Sequence, residues 1–271
     1  MQKPRQTAER SVISMLKINN ISKTFGKGTV NEKKALNNLS LEMAKGDFIT
    51  IIGSNGAGKS TLMNCIAGVH SVDSGSILLA GEDVAKLPEH KRAKSIGRVF
   101  QDPLKGTAYD MTIEENLSIA YNKCRSRGLQ KGLSKADREI FREQLKLLDM
   151  GLEDRMKEKA KFLSGGQRQA LTLFMAVISG PKLLLLDEHI AALDPQAAAK
   201  VLELTDLFSR ENKLTTLMIT HNMQAALDHG NRTILMKDGQ IVMDLIGEER
   251  KQMTVETLVG KFEINNDRML L

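Results

Sequence analysis

The sequence predicts an α/β domain on a mixed sheet, with an antiparallel β subdomain at its N-terminus and an all-helical subdomain inserted into the core. Three observations predict this. Strand-like runs before residue 53 alternate apolar and polar residues, the period of half-buried antiparallel strands. Later apolar runs at residues 183–186 and 216–220 each follow helical sequence, which is the alternation of a parallel sheet. Between about residues 111 and 178 the pattern is largely helical.

Taken in order, Leu16, Ile18 and Ile21 alternate with polar residues, as do Leu39, Leu41 and Met43. Residues 47–52, DFITII, then read as a buried strand that ends in glycine. A helical pattern occupies residues 60–67, and residues 74–81, SGSILLAG, mark a turn into another strand. Within the helical insertion, set at about residues 102–178, the charged stretch LSKADREIFREQLKLLDMG is expected to turn Ile140, Leu145 and Leu148 to one side. The domain as a whole is expected over residues 15–247. Residues 1–14 are mostly polar and unpatterned and read as a flexible extension, and the tail, residues 248–271, carries no clear signal.

Composition narrows the function classes. A chain of 271 residues with 41% hydrophobic content can bury a sizeable core, which excludes global disorder. Its 39 basic and 33 acidic residues give a net charge of +6, but the two signs are interspersed, so the balance reads as a solvated surface rather than a nucleic-acid groove. Cys65 and Cys124 lie far apart with no paired spacing, so neither a zinc site nor a disulfide framework is expected. No apolar run of about 18 residues occurs and MQKPRQTAERS lacks a secretory core, so the chain itself is not expected to span a membrane.

Residues 53–61, GSNGAGKST, satisfy G-x-x-x-x-G-K-[ST] between a strand and a helix, the setting of a P-loop NTPase core. Gly53, Ser54, Asn55, Gly56, Ala57 and Gly58 let the backbone wrap phosphate oxygens, Lys59 reaches the β- and γ-phosphates, and Ser60 and Thr61 open the helix. The Ser60 hydroxyl suits Mg²⁺. A magnesium-bound nucleotide needs a second anionic ligand, and Asp187 at the end of LLLLDE supplies one, while Glu188 is the candidate general base.

A helicase, a signalling GTPase and a transport ATPase all survive to this point. Residues 163–169, LSGGQRQ, separate them. Ser164, Gly165, Gly166 and Gln167 open a helix whose N-terminus is a second phosphate site, one that a single nucleotide cannot need within one chain. A second copy of the chain is therefore expected to supply it.

With these motifs the sequence closely resembles the ATP-binding cassette (ABC) ATPases over about residues 15–247. GSNGAGKST resembles the Walker A loop, VFQD at residues 99–102 the Q-loop, LSGGQRQ the signature, LLLLDE the Walker B strand, ALD at residues 192–194 the D-loop, and ITHN at residues 219–222 the H-loop. The resemblance implies that Gln101 contacts Mg²⁺ or the attacking water, that His221 holds the γ-phosphate, that Asp194 lies at a dimer interface and that Phe25 stacks on adenine. It further implies a head-to-tail dimer around two Mg-ATP, separate integral membrane permease subunits docked near residues 101–125, and a substrate-binding protein acting through them. The site of action is then the cytoplasmic face of the cell membrane, with no nucleic-acid partner.

The stretch EHIAALD at residues 188–194 departs from the family's usual Glu-Pro-Thr and resembles a bacterial subgroup serving uptake, some of it of aromatic amino acids such as tryptophan. Import is the expectation; an exporter ATPase, or a soluble ABC ATPase acting on nucleic acid or the ribosome, is the alternative. His189 stands where the family has proline, and two roles are open to it: filling the dimer interface, or modulating hydrolysis with pH. The basic segment 123–127 reads as a solvated helix.

Overall fold

The computed structural model describes residues 14–124 and 133–267. Of the expected extension only Ser14 falls within the described residues, and of the basic segment only Lys123 and Cys124.

β1 (Ser14–Phe25) and β2 (Lys33–Ala44) pair antiparallel, and β3 (Phe48–Gly53) then runs into the loop before α1 (Lys59–Ala67). β4 (Ser74–Leu79) returns to β1, and the short β5 (Glu82–Asp83) completes a four-stranded sheet in the order β2-β1-β4-β5. The short α2 (Glu89–Arg92) and β6 (Ile96–Val99) lead to the helical segment, α3 (Ile113–Asn122), α4 (Lys135–Lys146) and α5 (Gly165–Val177). The chain returns to the sheet as β7 (Leu183–Asp187), α6 (Pro195–Glu211), β8 (Thr215–Ile219), α7 (Met223–Asp228), β9 (Arg232–Lys237) and β10 (Gln240–Ile246). The second sheet has the order β10-β9-β3-β8-β7-β6, parallel throughout except for antiparallel β10. The mixed sheet, the N-terminal antiparallel sheet and the helices between β6 and β7 agree with the fold class that the sequence predicts.

Two cores lie on the two faces of the six-stranded sheet, and the leucines of β7 show how. Leu183 and Leu185 join the core shared with β1, β2 and α1, whereas Leu184 and Leu186 join the core formed with α3 to α6. A strand buried on both faces has no polar position to alternate with, which is why this run is uniformly apolar. The strand ends line up so that the loops after β3, β7 and β8 emerge at one edge, the carboxyl edge at which open α/β sheets bind ligands.

One expectation is corrected. On α4 the buried apolar residues are Phe141 and Leu145, one turn apart, with Leu148 buried just past the end of the helix, while Ile140 is 43% exposed. Leu145 and Leu148 are buried as expected, and Phe141 takes the place expected of Ile140. The C-terminal tail, for which the sequence carries no clear signal, forms α8 (Gly247–Lys251) and α9 (Val255–Asp267). Leu258 of α9 is buried with Ile52, Ala226, Leu235 and Leu245 in a third cluster. Arg250 of α8 donates to the carbonyls of Ala226, Leu227 and His229 at 3.2, 2.8 and 2.6 Å, taking up acceptors that the end of α7 leaves open.

Candidate nucleotide site

The loop between β3 and α1 is shaped by backbone demands that only glycine meets. Gly58 has φ +101°, and a Cβ there would stand 2.5 Å from the Ala35 carbonyl oxygen. As the N-cap of α1 it offers no side-chain cap, so the first-turn N–H groups of this helix have no side-chain acceptor. They can take phosphate oxygens instead. Lys59 donates from Nζ to the carbonyls of Gly53 at 2.7 Å and Ser54 at 3.0 Å, so the ammonium rests against the backbone of the loop. Burial lowers its pKa, and the Glu188 and Asp187 carboxylates oppose that shift.

A cavity of about 270 Å³ is lined by Asn55, Gly56, Ala57, Gly58, Lys59, Ser60 and Thr61, with Phe25, Lys33, Ala35 and Glu188 completing the wall. Phe25 is half-exposed there and packs edge-on against His70, with ring centroids 5.2 Å apart. Glu188 follows β7 with φ +49°, an uncommon backbone for a residue with a side chain, and its Oε1 lies 2.5 Å from His221 Nε2. The strained turn separates two successive carboxylates: Glu188 lines the P-loop cavity, and Asp187 lines a neighbouring one.

That second cavity, about 720 Å³, is lined by Asp187 and Gln101 together with Asn64, Arg98, Asp102 and Lys105. Burial and the adjacent Glu188 raise the Asp187 pKa, with Arg98 acting against them. The oxygen donors in reach of this edge, the Ser60 hydroxyl, the Asp187 carboxylate and the Gln101 amide, suit a hard cation such as Mg²⁺.

The signature residues stand elsewhere in the chain. Ser164 caps α5 by accepting from Gln167 N–H at 3.2 Å, and the Gln167 amide oxygen accepts from Ser164 N–H at 3.2 Å. Gly166 packs so closely on the start of α6 that a Cβ would stand 2.7 Å from Ala197 Cβ, and Asp194, the N-cap of α6, accepts from Ala197 N–H at 3.0 Å. Ser164, Gly165 and Asp194 are exposed, and none of them lines either cavity. The fold thus gathers the P-loop, Phe25, Glu188 and His221 at one place and Asp187 with Gln101 and Ala192 beside it, while Ser164, Gly165 and Asp194 line neither cavity.

A family described as ABC transporter matches residues 36–191. Over 249 residues the chain is 44% identical to a tyrosine transport ATP-binding protein of Clostridioides difficile (strain R20291), an alignment that covers 92% of this chain and 99% of that one. The chain belongs to the ABC transporter family. It is an ATPase, the nucleotide-binding subunit of an ABC transporter. This ABC cassette is also 31% identical, over 93% of its length, to a spermidine/putrescine import ATP-binding protein of Haemophilus influenzae, of which the match covers 63%. Among solved structures, a dimeric ATP-binding cassette in a post-hydrolysis state, bound to ADP and phosphate, aligns with a TM-score of 0.73 at 28% identity, covering 86% of this chain and 98% of that one. Among the described residues, no helix of the cassette is long and apolar enough to cross a membrane.

His189 is corrected in both of its expected roles. It is 1% exposed inside its own chain, with Nε2 3.2 Å from Thr205 Oγ1 on α6, so it fills no dimer interface. Complete burial pushes its pKa down to about 3, with nearby His229 adding to the effect, so the ring stays neutral across the working pH range. Its carbonyl accepts from Gln169 of α5 at 2.6 Å, which ties the Walker B turn to the signature helix of the same chain.

The residues of the cassette's site that escape sequence reasoning include Lys33 and Asn64 on the cavity walls, and Arg98, whose Nη2 lies 3.5 Å from Asp187 Oδ2. The signal for Arg98 is a charge inside the apolar strand IGRV, since a buried guanidinium calls for a carboxylate.

Proposed function

We propose that two copies of this ABC ATPase close head-to-tail around two ATP molecules. Each nucleotide is then held between the P-loop of one chain and Ser164, Gly165, Gly166 and Gln167 of the other, with Asp194 at the shared surface. What carries the hydrolytic part of this reading is the disposition of Glu188, a carboxylate on the wall of the P-loop cavity, turned there by a left-handed backbone and in contact with His221. Glu188 takes the proton of the attacking water, and His221 steers that carboxylate and donates toward the γ-phosphate. Phe25 offers a ring face to the purine, and Lys59 and the first-turn N–H groups of α1 hold phosphate oxygens.

Ser60, Asp187 and Gln101 would hold Mg²⁺, which would supply charge neutralisation on the phosphates. Glu188→Gln should bind ATP with unchanged affinity and lose about 100-fold or more of the hydrolysis rate. Wild-type turnover in that variant would remove Glu188 from the role of base.

The wider reading is that the cassette works on the cytoplasmic face of the cell membrane with separate permease subunits, and that a substrate-binding protein delivers the cargo to them. Import of an aromatic amino acid is the cargo class we propose, supported by the 44% identity to the tyrosine transport protein over nearly all of both chains. Uptake of labelled tyrosine and tryptophan by cells that carry Lys59→Ala in place of the wild-type chain tests it. Selective loss of that uptake is the expected result; unimpaired uptake of both contradicts the cargo.

A further inference from the structure

Arg98 reaches from β6 to the Walker B strand, where its Nη2 lies 3.5 Å from Asp187 Oδ2. Two further contacts fix its head. Nη2 donates to Asn64 Oδ1 at 2.7 Å, and the guanidinium lies over the Phe100 ring, 4.6 Å from its centroid. Nε is buried with no hydrogen-bond partner, so the side chain has been brought here at a cost that its local hydrogen bonds do not fully offset. Asn64 lies on α1 one helical turn after Ser60, and Gln101 follows Arg98 by three residues. The fixed positive charge therefore stands among the oxygen donors read above as the cation site, on one of them directly.

We propose that Arg98 is the resident counter-ion of Asp187 and sets the affinity of the site for a divalent cation. Resting on the reading of Asp187 as a metal ligand, the inference adds a competitor to it. The guanidinium neutralises one of two adjacent carboxylates, and it must give up Asp187 before a hard cation can take that oxygen. Asn64 and Phe100 keep the side chain in place once it has done so, and its charge continues to repel a second positive centre nearby. The site is thereby biased against binding a divalent cation.

The test is Mn²⁺ binding, followed by electron paramagnetic resonance of the free ion, with the full chain saturated with ADP. Arg98→Met should tighten Mn²⁺ about tenfold, and Arg98→Gln, which loses the charge but keeps a polar head for Asn64, should do the same. Arg98→Lys, which retains the charge, should stay near wild type. Unchanged or weaker Mn²⁺ binding in both folded neutral variants overturns the inference. Asp187→Asn separates the two claims. If it leaves Mn²⁺ affinity unchanged, the metal-ligand reading itself falls; if it weakens binding while the neutral Arg98 variants do not strengthen it, only the role of Arg98 falls.

Discussion

The cassette presents two helix N-termini suited to phosphate, and they are prepared in opposite ways. At α1 the N-cap is Gly58, with no side chain to accept from the first turn, and the nearby Lys59 ammonium rests on loop carbonyls. At α5 the N-cap Ser164 and Gln167 satisfy each other in a capping box, within the chain and without ligand. Helix α1 has no side-chain acceptor for its first turn, which on the proposed reading phosphate oxygens supply, whereas α5 is capped by its own residues and offers an exposed dipole end. A site that must bind nucleotide within the chain and one that meets a nucleotide held elsewhere are expected to differ in this way. The first gives up local stability for affinity, and the second must hold its shape before its partner appears.

Breaking the open end should give the largest effect. Lys59→Ala removes the charge-assisted contacts to phosphate, and ATP affinity should fall about 100-fold or more by equilibrium dialysis. Gly58→Ala attacks the same end through the backbone: the Cβ would collide with the Ala35 carbonyl and φ is +101°, so a loss of about 2 kcal/mol in urea unfolding is expected alongside lost nucleotide binding. Breaking the closed end should be milder within one chain. Ser164→Ala should cost about 1 kcal/mol of stability through the lost cap while leaving monomer ATP affinity unchanged. If Ser164→Ala weakened that affinity as strongly as Lys59→Ala, the contrast between the two ends would fail.

The smallest effect concerns the link between them. His189, whose carbonyl is held by Gln169 of α5, is buried neutral with a pKa of about 3, below the ordinary histidine value of about 6.5. The unfolded chain therefore binds a proton that the native chain refuses. This contribution to stability is full above about pH 6.5 and is lost progressively as the pH falls toward 3. His189→Gln should flatten the decline of the urea midpoint between pH 6.5 and 4, and leave the pH–rate profile of ATP hydrolysis between pH 6 and 8 where it is.

The parts of this architecture that are legible in the sequence are those fixed by local backbone chemistry. GSNGAGKST, LSGGQ and LLLLDE each combine a conformational demand with a chemical one in a few consecutive residues, so that composition and order disclose the turn, the cap and the buried strand. What the sequence conceals depends on tertiary partners. Arg98 meets Asp187 only because β6 and β7 pair in parallel with Arg98 opposite Leu185. The neutrality of His189 follows from complete burial beside Thr205, which no neighbour in sequence announces. On α4 Phe141 rather than Ile140 is buried, because it stands four residues before Leu145 on the same face, a spacing that two adjacent apolar residues disguise. Helix α8 is too short to show a period, and Arg250 holds it through carbonyls more than twenty residues away.

The central claim, that each nucleotide is served by the open end of one chain and the closed end of another, is tested most directly by mixing two inactive proteins. Lys59→Ala lacks a working P-loop, and Ser164→Arg blocks the exposed α5 end while leaving its own P-loop intact. In a head-to-tail pair of the two, one site carries both defects and the other carries neither. ATP hydrolysis by the mixture should rise well above the sum of the separate proteins. A mixture no more active than that sum, with exchange of chains verified by sedimentation, would contradict the shared site.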